Sequence, residues 1–495
     1  MWSFKQAKLI PSPSGRETDP WYVYKLAAFV SLGALLFGFD QGVMGMIVAD
    51  ERWKDLMQPS SSWVTGAVVS GYDIGCFSGA MATGTLADLY GRERLLALAS
   101  AVCIVGAVIQ AGSYTITQII LGRVILGIGV GACAAGVPLY QSEIAPSTLR
   151  GRLIGIEQMI LCTGELIAFW LDYWLSLLST PDWWRIPLAV QVIPAVILGV
   201  GCCTWVLPSP RWLVAQGRNE CAHEVLVRLH GHDTATTELK QIQEMIRLER
   251  HVKVTWTSMF KSPILQLTVL GCGIQSFQQM TGTNSILYYT PSLFEKGGIT
   301  NPQTANLATG GVGVALFLSS WIPIFFFDRL GRKTWLQIGT VGMTLSMLGI
   351  AALQQHAEDP NASGKYVIIL FPYLFYVFFN ISWGVAAWTY PSEIFPLSMR
   401  AKGNALSTSA NWASCYVVAQ ISPVLGDAIG WGLYVVYAVI CVFAFVFVRF
   451  ALVETKDRSL EEMNELFGLE NYFSVGKGVQ DDQVGLLGEE QSLDE

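Results

Sequence analysis

Charged side chains are scarce in this chain. Only 14% of the 495 residues are Asp, Glu, Lys or Arg, where a soluble globular domain carries about 25%. Hydrophobic residues make up 52%, and the mean hydropathy is +0.43. This composition excludes an ordinary soluble enzyme, a disordered protein and a coiled coil, and it indicates one large membrane body.

Several chemical signatures are also missing. The ten cysteines have no metal-ligand spacing with histidine, and nine of them fall in apolar segments, where cysteine is a small packing residue. The sequence has no glycine-rich phosphate loop and no catalytic triad, so we expect no cofactor, no metal and no enzymatic activity. The net charge is −7, so no basic surface indicates a nucleic-acid partner.

Long apolar segments fill most of the chain. A helix that crosses a bilayer needs roughly 20 mostly apolar residues. Twelve such spans are predicted, at 25–48, 62–86, 94–113, 116–141, 152–176, 185–207, 264–291, 304–327, 334–354, 366–391, 402–424 and 430–452. The expected fold is therefore an all-α membrane protein, embedded in lipid and monomeric, with 12 transmembrane helices in two six-helix halves.

The polar segments divide the chain into five parts. These are an N-terminal tail at 1–24, a first half at 25–207, a middle loop at 208–262, a second half at 263–452 and a C-terminal tail at 453–495. Within the middle loop, Glu220–Leu229 and Thr237–Arg250 have the periodicity of amphipathic helices.

Lys and Arg cluster in alternate connections, which predicts the orientation. Arg92 and Arg94 belong to the basic set, as do Arg150 and Arg152 and the cluster around Arg332. The positive-inside rule makes this side cytoplasmic, with both termini there. The triplet Asn361-Ala-Ser363 then falls in an outer loop, where a glycan could be attached. We expect a multi-pass protein of the plasma membrane.

The two halves repeat one another. Segments 140–150 and 390–400 share Tyr, Ser, Glu, Ile, Pro and Arg at a constant offset of 250, and Asp88, Gly91 and Arg92 recur as Asp328, Gly331 and Arg332. Charged loop motifs in register indicate duplication, and a parallel six-plus-six repeat is a recurrent transporter architecture with its site between the halves.

The repeated charges suggest an inner gate that opens and closes. The candidates are Asp88, Arg92, Glu143, Arg150, Asp328, Arg332, Glu393 and Arg400. Halves that rock against each other need ion pairs that are present in one state and absent in the other. The alternative is that these charges only set topology.

Two ionisable groups lie deep inside predicted spans. Asp40 is about 21 Å along span one and Arg123 about 25 Å from the inner end of span four, so the two side chains can meet near the midplane. Movement of Arg123 between states would load or release a proton on Asp40. A static structural ion pair is the alternative. Asp73, Glu157 and Glu165 are further acids at depth, interpreted as lining or packing groups.

Amide side chains also cluster near the midplane. They are Gln158 in span five, Gln278, Gln279 and Asn284 in span seven, and Asn411 in span eleven. Amides offer both donors and acceptors, which suits a neutral polyol, and Trp388, Phe37 and Tyr289 could supply apolar faces for its ring. Each amide taken singly could instead join two helices.

Together these residues resemble the sugar porters of the major facilitator superfamily, particularly the fungal members, over roughly 25–465. The matching motifs are Gly38-Phe-Asp-Gln-Gly42, Leu86-Ala-Asp-Leu-Tyr-Gly-Arg92, Gly122-Arg123, Pro138-Leu-Tyr-Gln-Ser-Glu-Ile-Ala-Pro146, Ser209-Pro-Arg-Trp-Leu213, Gln278-Gln-Met-Thr-Gly-Thr-Asn284, Tyr288-Tyr289, Trp388, Pro391-Ser-Glu-Ile-Phe-Pro396, Asn411-Trp412 and Glu454-Thr-Lys456. The resemblance implies alternating-access transport of a sugar or polyol. It also implies sugar contacts from Gln158, Gln278, Gln279, Asn284 and Trp388, and proton coupling through Asp40 and Arg123.

Four positions depart from the family pattern. Leu207-Pro-Ser-Pro-Arg211 lacks the family's Glu, Val385 replaces a proline, Leu316 replaces a polar residue, and Asp457 replaces a glycine. These differences leave open which sugar, polyol or natural product is carried. They also leave open import versus export, and plasma versus internal membrane.

Proton–sugar symport is the leading functional hypothesis. A facilitative uniporter or an exporter of a sugar-like metabolite on the same fold is the second. A non-transporting nutrient sensor is the third, and the short C-terminal tail argues against it.

Overall fold

The computed structural model is helical throughout the residues that it describes, which are 21–145, 150–249, 255–299, 301–356, 365–456, 463 and 466–467. Asn361 lies outside these residues, as do most of both tails. The side chains of Arg150 and Asp328 are also outside the described part, although both residues sit in helices.

The first half contains six spans in nine helices. They are α1 (Tyr22–Val30), α2 (Leu32–Ala49), α3 (Glu51–Met57), α4 (Ser62–Tyr90), α5 (Arg92–Ala111), α6 (Ile116–Ile144), α7 (Arg150–Ser176), α8 (Arg185–Val190) and α9 (Val192–Thr204). Helices α1 and α2 together form span one, and α8 and α9 form span six. The short helix α3 follows span one, and Asp50 caps it by accepting a hydrogen bond from the backbone of Arg52.

The middle loop is helical and rests on the end of the first half that bears its repeated charges. It contains α10 (Pro210–Ala215), α11 (Asn219–His230), α12 (His232–Glu249) and a 3₁₀ turn at Trp256–Phe260. The indole of Trp212 donates to the carbonyl of Asp88 at 2.9 Å, and His230 Nε2 lies 3.0 Å from the carbonyl of Ile144. The two amphipathic helices expected here thus correspond to α11 and α12.

The second half repeats the six-span arrangement with more interruptions. Its helices are α13 (Ile264–Met280), α14 (Thr283–Lys296), α15 (Pro302–Ser319), α16 (Trp321–Leu330), α17 (Arg332–His356), α18 (Leu370–Asn380), α19 (Trp383–Ile394), α20 (Leu397–Ile429) and α21 (Gly432–Phe450), with a 3₁₀ turn at Lys365–Ile369. Spans seven, eight and ten each consist of two helices.

Nine of the twelve predicted spans are long and apolar enough to cross a membrane in the described part of the chain. Spans two, seven and eleven fall outside that criterion although they are helical. Span seven is divided into pieces of 17 and 14 residues. Helices α4 and α20 are 29 and 33 residues long, but both are rich in small and polar residues.

The most extensive contacts between the halves are those of α4 with α20, α7 with α15, and α2 with α14. Polar contacts join the first pair. Ser70 Oγ donates to Gln420 Oε1 at 2.7 Å, and Cys415 Sγ donates to Asp73 Oδ1 at 3.1 Å. Asp73, interpreted from the sequence as a lining or packing acid, therefore has a hydrogen-bond partner in the opposite half.

Candidate substrate cavity and charge pairs

Two helix breaks bring polar groups to the centre of the second half. The chain leaves α13 at Thr281 and turns through Gly282, which has φ +87°. A Cβ atom there would lie 2.5 Å from the ring of Tyr437, so glycine is needed for both conformation and space. The second break, at Ile381 and Ser382, separates α18 from α19. Transporter sites are commonly built at such discontinuous helices.

The amides beside the first break form one hydrogen-bonded network. Asn411 Nδ2 donates to Gln275 Oε1 and to Gln278 Oε1, each at 2.6 Å. Gln279 Nε2 donates to Asn411 Oδ1 at 2.9 Å, and Asn284 Nδ2 donates to Gln279 Oε1 at the same distance. The network fixes the orientation of these side chains before any ligand binds.

A cavity lies between the halves beside this network. Six of the eight predicted substrate-binding residues line it, namely Phe37, Gln158, Gln278, Gln279, Asn284 and Trp388. Sequence reasoning missed several other lining residues: Gln41, Thr283, Tyr376, Phe379 and Asn380. Both halves contribute to the wall, which contains both amide groups and aromatic side chains.

Asn380 joins the two halves at this cavity. Gln158 Nε2 donates to Asn380 Oδ1 at 3.3 Å, and Asn380 Nδ2 donates to the carbonyl of Leu316 at 2.8 Å. Asn380 is the only amide in the predicted span 366–391, and that isolation was a signal that could have identified it. It also supplies a polar group next to Leu316, where the family's polar residue is absent.

Asn411 and Tyr289 do not belong to the cavity wall as the structure describes it. Asn411 is fully buried behind Gln278 and Gln279 and holds them in place. Tyr289 Oη donates to the carbonyl of Ala419 at 2.9 Å and so joins α14 to α20. Their positions in the sequence could not show which way either side chain faces.

Asp40 and Arg123 meet in the interior of the first half. Arg123 Nη2 lies 3.3 Å from Asp40 Oδ2, and both side chains are fully buried. Gln191 Nε2 donates to Asp40 Oδ1 at 3.0 Å. Arg123 Nη2 also donates to the carbonyl of Val69 at 3.1 Å, and the guanidinium lies 5.2 Å from the ring centre of Tyr72.

Gln191 is the partner that sequence reasoning missed at this pair. It is the only amide of the predicted span 185–207, so its isolation was a usable signal. Neither Asp40 nor Arg123 lines the cavity, but Gln41, the residue after Asp40, does. Helix α2 therefore links the buried ion pair to the cavity wall.

The repeated loop charges form ion pairs within each half. Arg92 Nη2 lies 2.8 Å from Glu143 Oε1, and Arg92 Nη1 lies 3.0 Å from Asp88 Oδ1. In the second half, Arg332 Nη2 lies 2.8 Å from Glu393 Oε1. Arg400 Nε donates to the carbonyl of Phe395 at 3.3 Å. The predicted contacts of Arg150 and Asp328 involve side chains outside the described part.

The residues after the last span complete the second of these clusters. Glu454 accepts hydrogen bonds from the backbone amides of Arg332 and Lys333 at 2.9 and 3.0 Å. Thr455 Oγ1 donates to Glu393 Oε2 at 2.5 Å. The Glu454-Thr-Lys456 motif therefore ties the end of α21 to the start of α17.

A two-half helical protein with a central amide-lined cavity and a buried Asp–Arg pair has the architecture of a membrane transporter. Residues 26–467 match the family model described as "Sugar (and other) transporter". The glucose transporter GlcP of Staphylococcus epidermidis is 35% identical over 444 residues, which cover 89% of this chain and 96% of the relative. The sugar transporter STL1 of Saccharomyces cerevisiae is 31% identical over 468 residues, covering 90% and 81%.

Solved structures agree with this assignment. The proton:xylose symporter XylE, bound to 6-bromo-6-deoxy-D-glucose, superposes with a TM-score of 0.78 at 27% identity and covers 90% of this chain and 99% of its own. The chain belongs to the sugar transporter family of the major facilitator superfamily, and it is a multi-pass membrane transporter rather than an enzyme. Relatives of similar identity occur in bacteria and in fungi, so the fungal subtype expected from the motifs is not distinguished.

Proposed function

We propose that this protein moves a neutral sugar or polyol across the membrane by alternating access, coupled to a proton. The observation that carries the proposal is the central cavity. Its wall presents oriented amides from both halves and aromatic faces from Phe37, Phe379 and Trp388. A polyol has hydroxyls that donate and accept hydrogen bonds, and its ring has apolar C–H faces. The amides of the wall can therefore bind the hydroxyls, and the aromatic side chains can pack against the ring.

Gln158, Gln278, Gln279 and Asn284 are the proposed hydroxyl-binding groups. Gln158 belongs to the first half and the other three to the second, so a bound sugar would touch both halves at once. A ligand that contacts both halves stabilises their closed arrangement more than their open one. Alternating access requires such a difference in ligand affinity between the states. The relatives include a glucose transporter and a proton:xylose symporter, which supports a sugar of the size of glucose or xylose as the substrate.

Asp40 is the proposed proton carrier, and Arg123 is its electrostatic partner. The protonated acid would release Arg123, and the ionised acid would hold it. Because Gln41 follows Asp40 on the same helix and lines the cavity, a shift of α2 on protonation would alter the sugar site. This is the proposed link between the two ligands.

We further propose uptake at the plasma membrane by a monomer, with both termini cytoplasmic. The basic connections that contain Arg92 and Arg332 support that orientation.

The deciding experiment is uptake of labelled D-glucose, D-xylose and glycerol in a transporter-null cell, with and without a proton uncoupler. Accumulation that collapses with the uncoupler supports symport. Uptake that is indifferent to pH and uncoupler would replace symport by facilitated diffusion, and absence of uptake of every probe would overturn the sugar assignment.

A further inference from the structure

One carboxyl group on the cavity wall has no partner. Glu165 lies on α7, seven residues and therefore about 10 Å beyond Gln158 on the same helix. Its side chain is only 4% exposed, yet it lines the cavity. Its Oε2 atom has no hydrogen-bond partner among the described residues.

The backbone that carries Glu165 is held firmly. Helices α2 and α7 approach so closely that a Cβ atom on Gly38 would lie 2.0 Å from the carbonyl oxygen of Leu161. A Cβ atom on Gly42 would lie 2.9 Å from Cβ of Ala168, one turn beyond Glu165. The carboxyl group is therefore presented to the cavity from a rigid wall, which is how a selective contact is built.

Glu165 is also the only acidic or basic side chain among the described lining residues. The amides around it already bond to protein groups: Gln279 to Asn411, and Gln278 to the carbonyl of Trp383. No lining Lys, Arg or His is there to pair with the acid. A buried polar group without a partner costs free energy. A ligand that donates a hydrogen bond to Glu165 should therefore bind more tightly than a ligand that does not.

We propose that Glu165 is a specificity-determining residue, which forms hydrogen bonds with hydroxyl or amino groups of the substrate. A hydroxyl or an ammonium group of the substrate supplies the donor that its Oε2 atom lacks. The proposal rests on the sugar-binding function proposed above for this cavity.

Glu157 provides a matched control on the same helix. It is an acid without a hydrogen bond at its buried Oε2 atom, but it is not among the residues of the cavity wall. Glu157→Gln and Glu165→Gln make the same chemical change, and only the second alters the wall. Glu165→Asp retains the charge and withdraws the carboxyl by one methylene.

The experiment is competition for uptake of labelled D-glucose by unlabelled D-glucose and D-glucosamine, at matched surface level. For the wild type and Glu157→Gln, we expect inhibition by both glucose and glucosamine. For Glu165→Gln, we expect apparent glucose affinity to fall about fivefold or more and the affinity for glucosamine to fall further, because the amide cannot pair with an ammonium group. Glu165→Asp should bind glucose more weakly while still binding glucosamine, and it serves as the test if the Gln variant fails to reach the surface.

Each contrary result has its own meaning. If Glu165→Gln keeps the wild-type order of competitors, the inference about Glu165 is overturned while sugar transport stands. If the wild type carries none of these sugars, the proposed function falls and the inference falls with it.

Discussion

Arg92 and Glu143 form an ion pair between the start of α5 and the end of α6, with Nη2 and Oε1 2.8 Å apart and the side chains 8% and 5% exposed. Arg332 and Glu393 make the corresponding contact in the second half at the same distance. Both pairs therefore join helices of one half. They are placed to hold the helix ends of each half together as it moves, and losing one partner would leave a nearly buried charge unpaired.

We expect Arg92→Ala and Arg332→Ala to lower maximal transport while leaving the apparent affinity for sugar near the wild-type value. The cavity residues lie on other parts of the helices, so binding is spared. Removing Arg92 leaves the nearly buried carboxylate of Glu143 without its cation, which costs about 3–5 kcal/mol, and the cost should be smaller for Arg332→Ala because the side chain of Glu393 is 27% exposed. The measurement is initial uptake against sugar concentration, normalised to surface level.

Arg94→Ala is the control for these variants. Arg94 shares the same connection and the same charge as Arg92, but its side chain is 58% exposed. If Arg94→Ala lowers transport as much as Arg92→Ala, or if all three variants transport at the wild-type rate, the charges set topology and the gate hypothesis is wrong.

We expect tags at both termini of the protein to be inaccessible from outside intact cells, and an epitope inserted in the loop around Asn361 to be accessible. The basic connections keep Arg92 and Arg332 on the inner side. Antibody labelling before and after permeabilisation measures this, with a known surface protein as the control. Labelling of the C-terminus in intact cells would reverse the orientation.

Much of the fold was predictable because hydrophobic length and loop charge are local properties of the sequence. The twelve spans correspond to helices or helix pairs, and the middle loop contains the two helices expected from its periodicity. The breaks inside spans seven and ten were less visible. Span seven is interrupted at Thr281 and Gly282, and span ten at Ile381 and Ser382. Neither break lies in a long polar segment, so hydropathy alone does not reveal it.

The cavity was predictable in depth but not in direction. Rise per residue placed Gln158 and Gln279 near the midplane, but the rotation of each helix depends on packing against its neighbours. Asn411 therefore turned out to support the wall rather than form it. Asn380 and Gln191 were overlooked although each is the only amide of its predicted span, and their contacts across helices show which groups they hold.

Gln279→Ala should weaken sugar binding more than it lowers abundance. Gln279 lines the cavity, donates to Asn411 and accepts from Asn284, so its loss removes a sugar contact and leaves two neighbours with one partner fewer. The expected cost is about 1 kcal/mol, rising to roughly 3 if a buried partner is stranded. Competition binding on purified protein measures it.

Gln354→Ala is the matched control for that substitution. Gln354 is a buried amide on α17 that does not line the cavity, so its truncation tests the effect of losing an interior amide as such. Equal affinities in the wild type and Gln279→Ala, at matched expression, would count against the proposed sugar site.

Asp40→Asn should abolish accumulation of sugar against a gradient while sparing folding. The amide keeps the size of the side chain and can still accept from Gln191, but it cannot ionise. Arg123 retains the carbonyl of Val69 and the ring of Tyr72 as partners, which offsets part of the cost of removing its counter-charge. Downhill exchange should survive because Asp40 is not on the cavity wall.

The measurement for Asp40→Asn is proton flux that accompanies sugar entry, recorded at equal surface level for wild type and variant. Asp182→Asn is the control, since Asp182 is an acid paired with an arginine, Arg185, but 57% exposed. We expect Asp182→Asn to behave like the wild type and Asp40→Asn to lose its pH dependence while still binding sugar. If Asp40→Asn is degraded, or if proton flux persists in it, the ion pair is structural, and the proton must be carried elsewhere in the molecule.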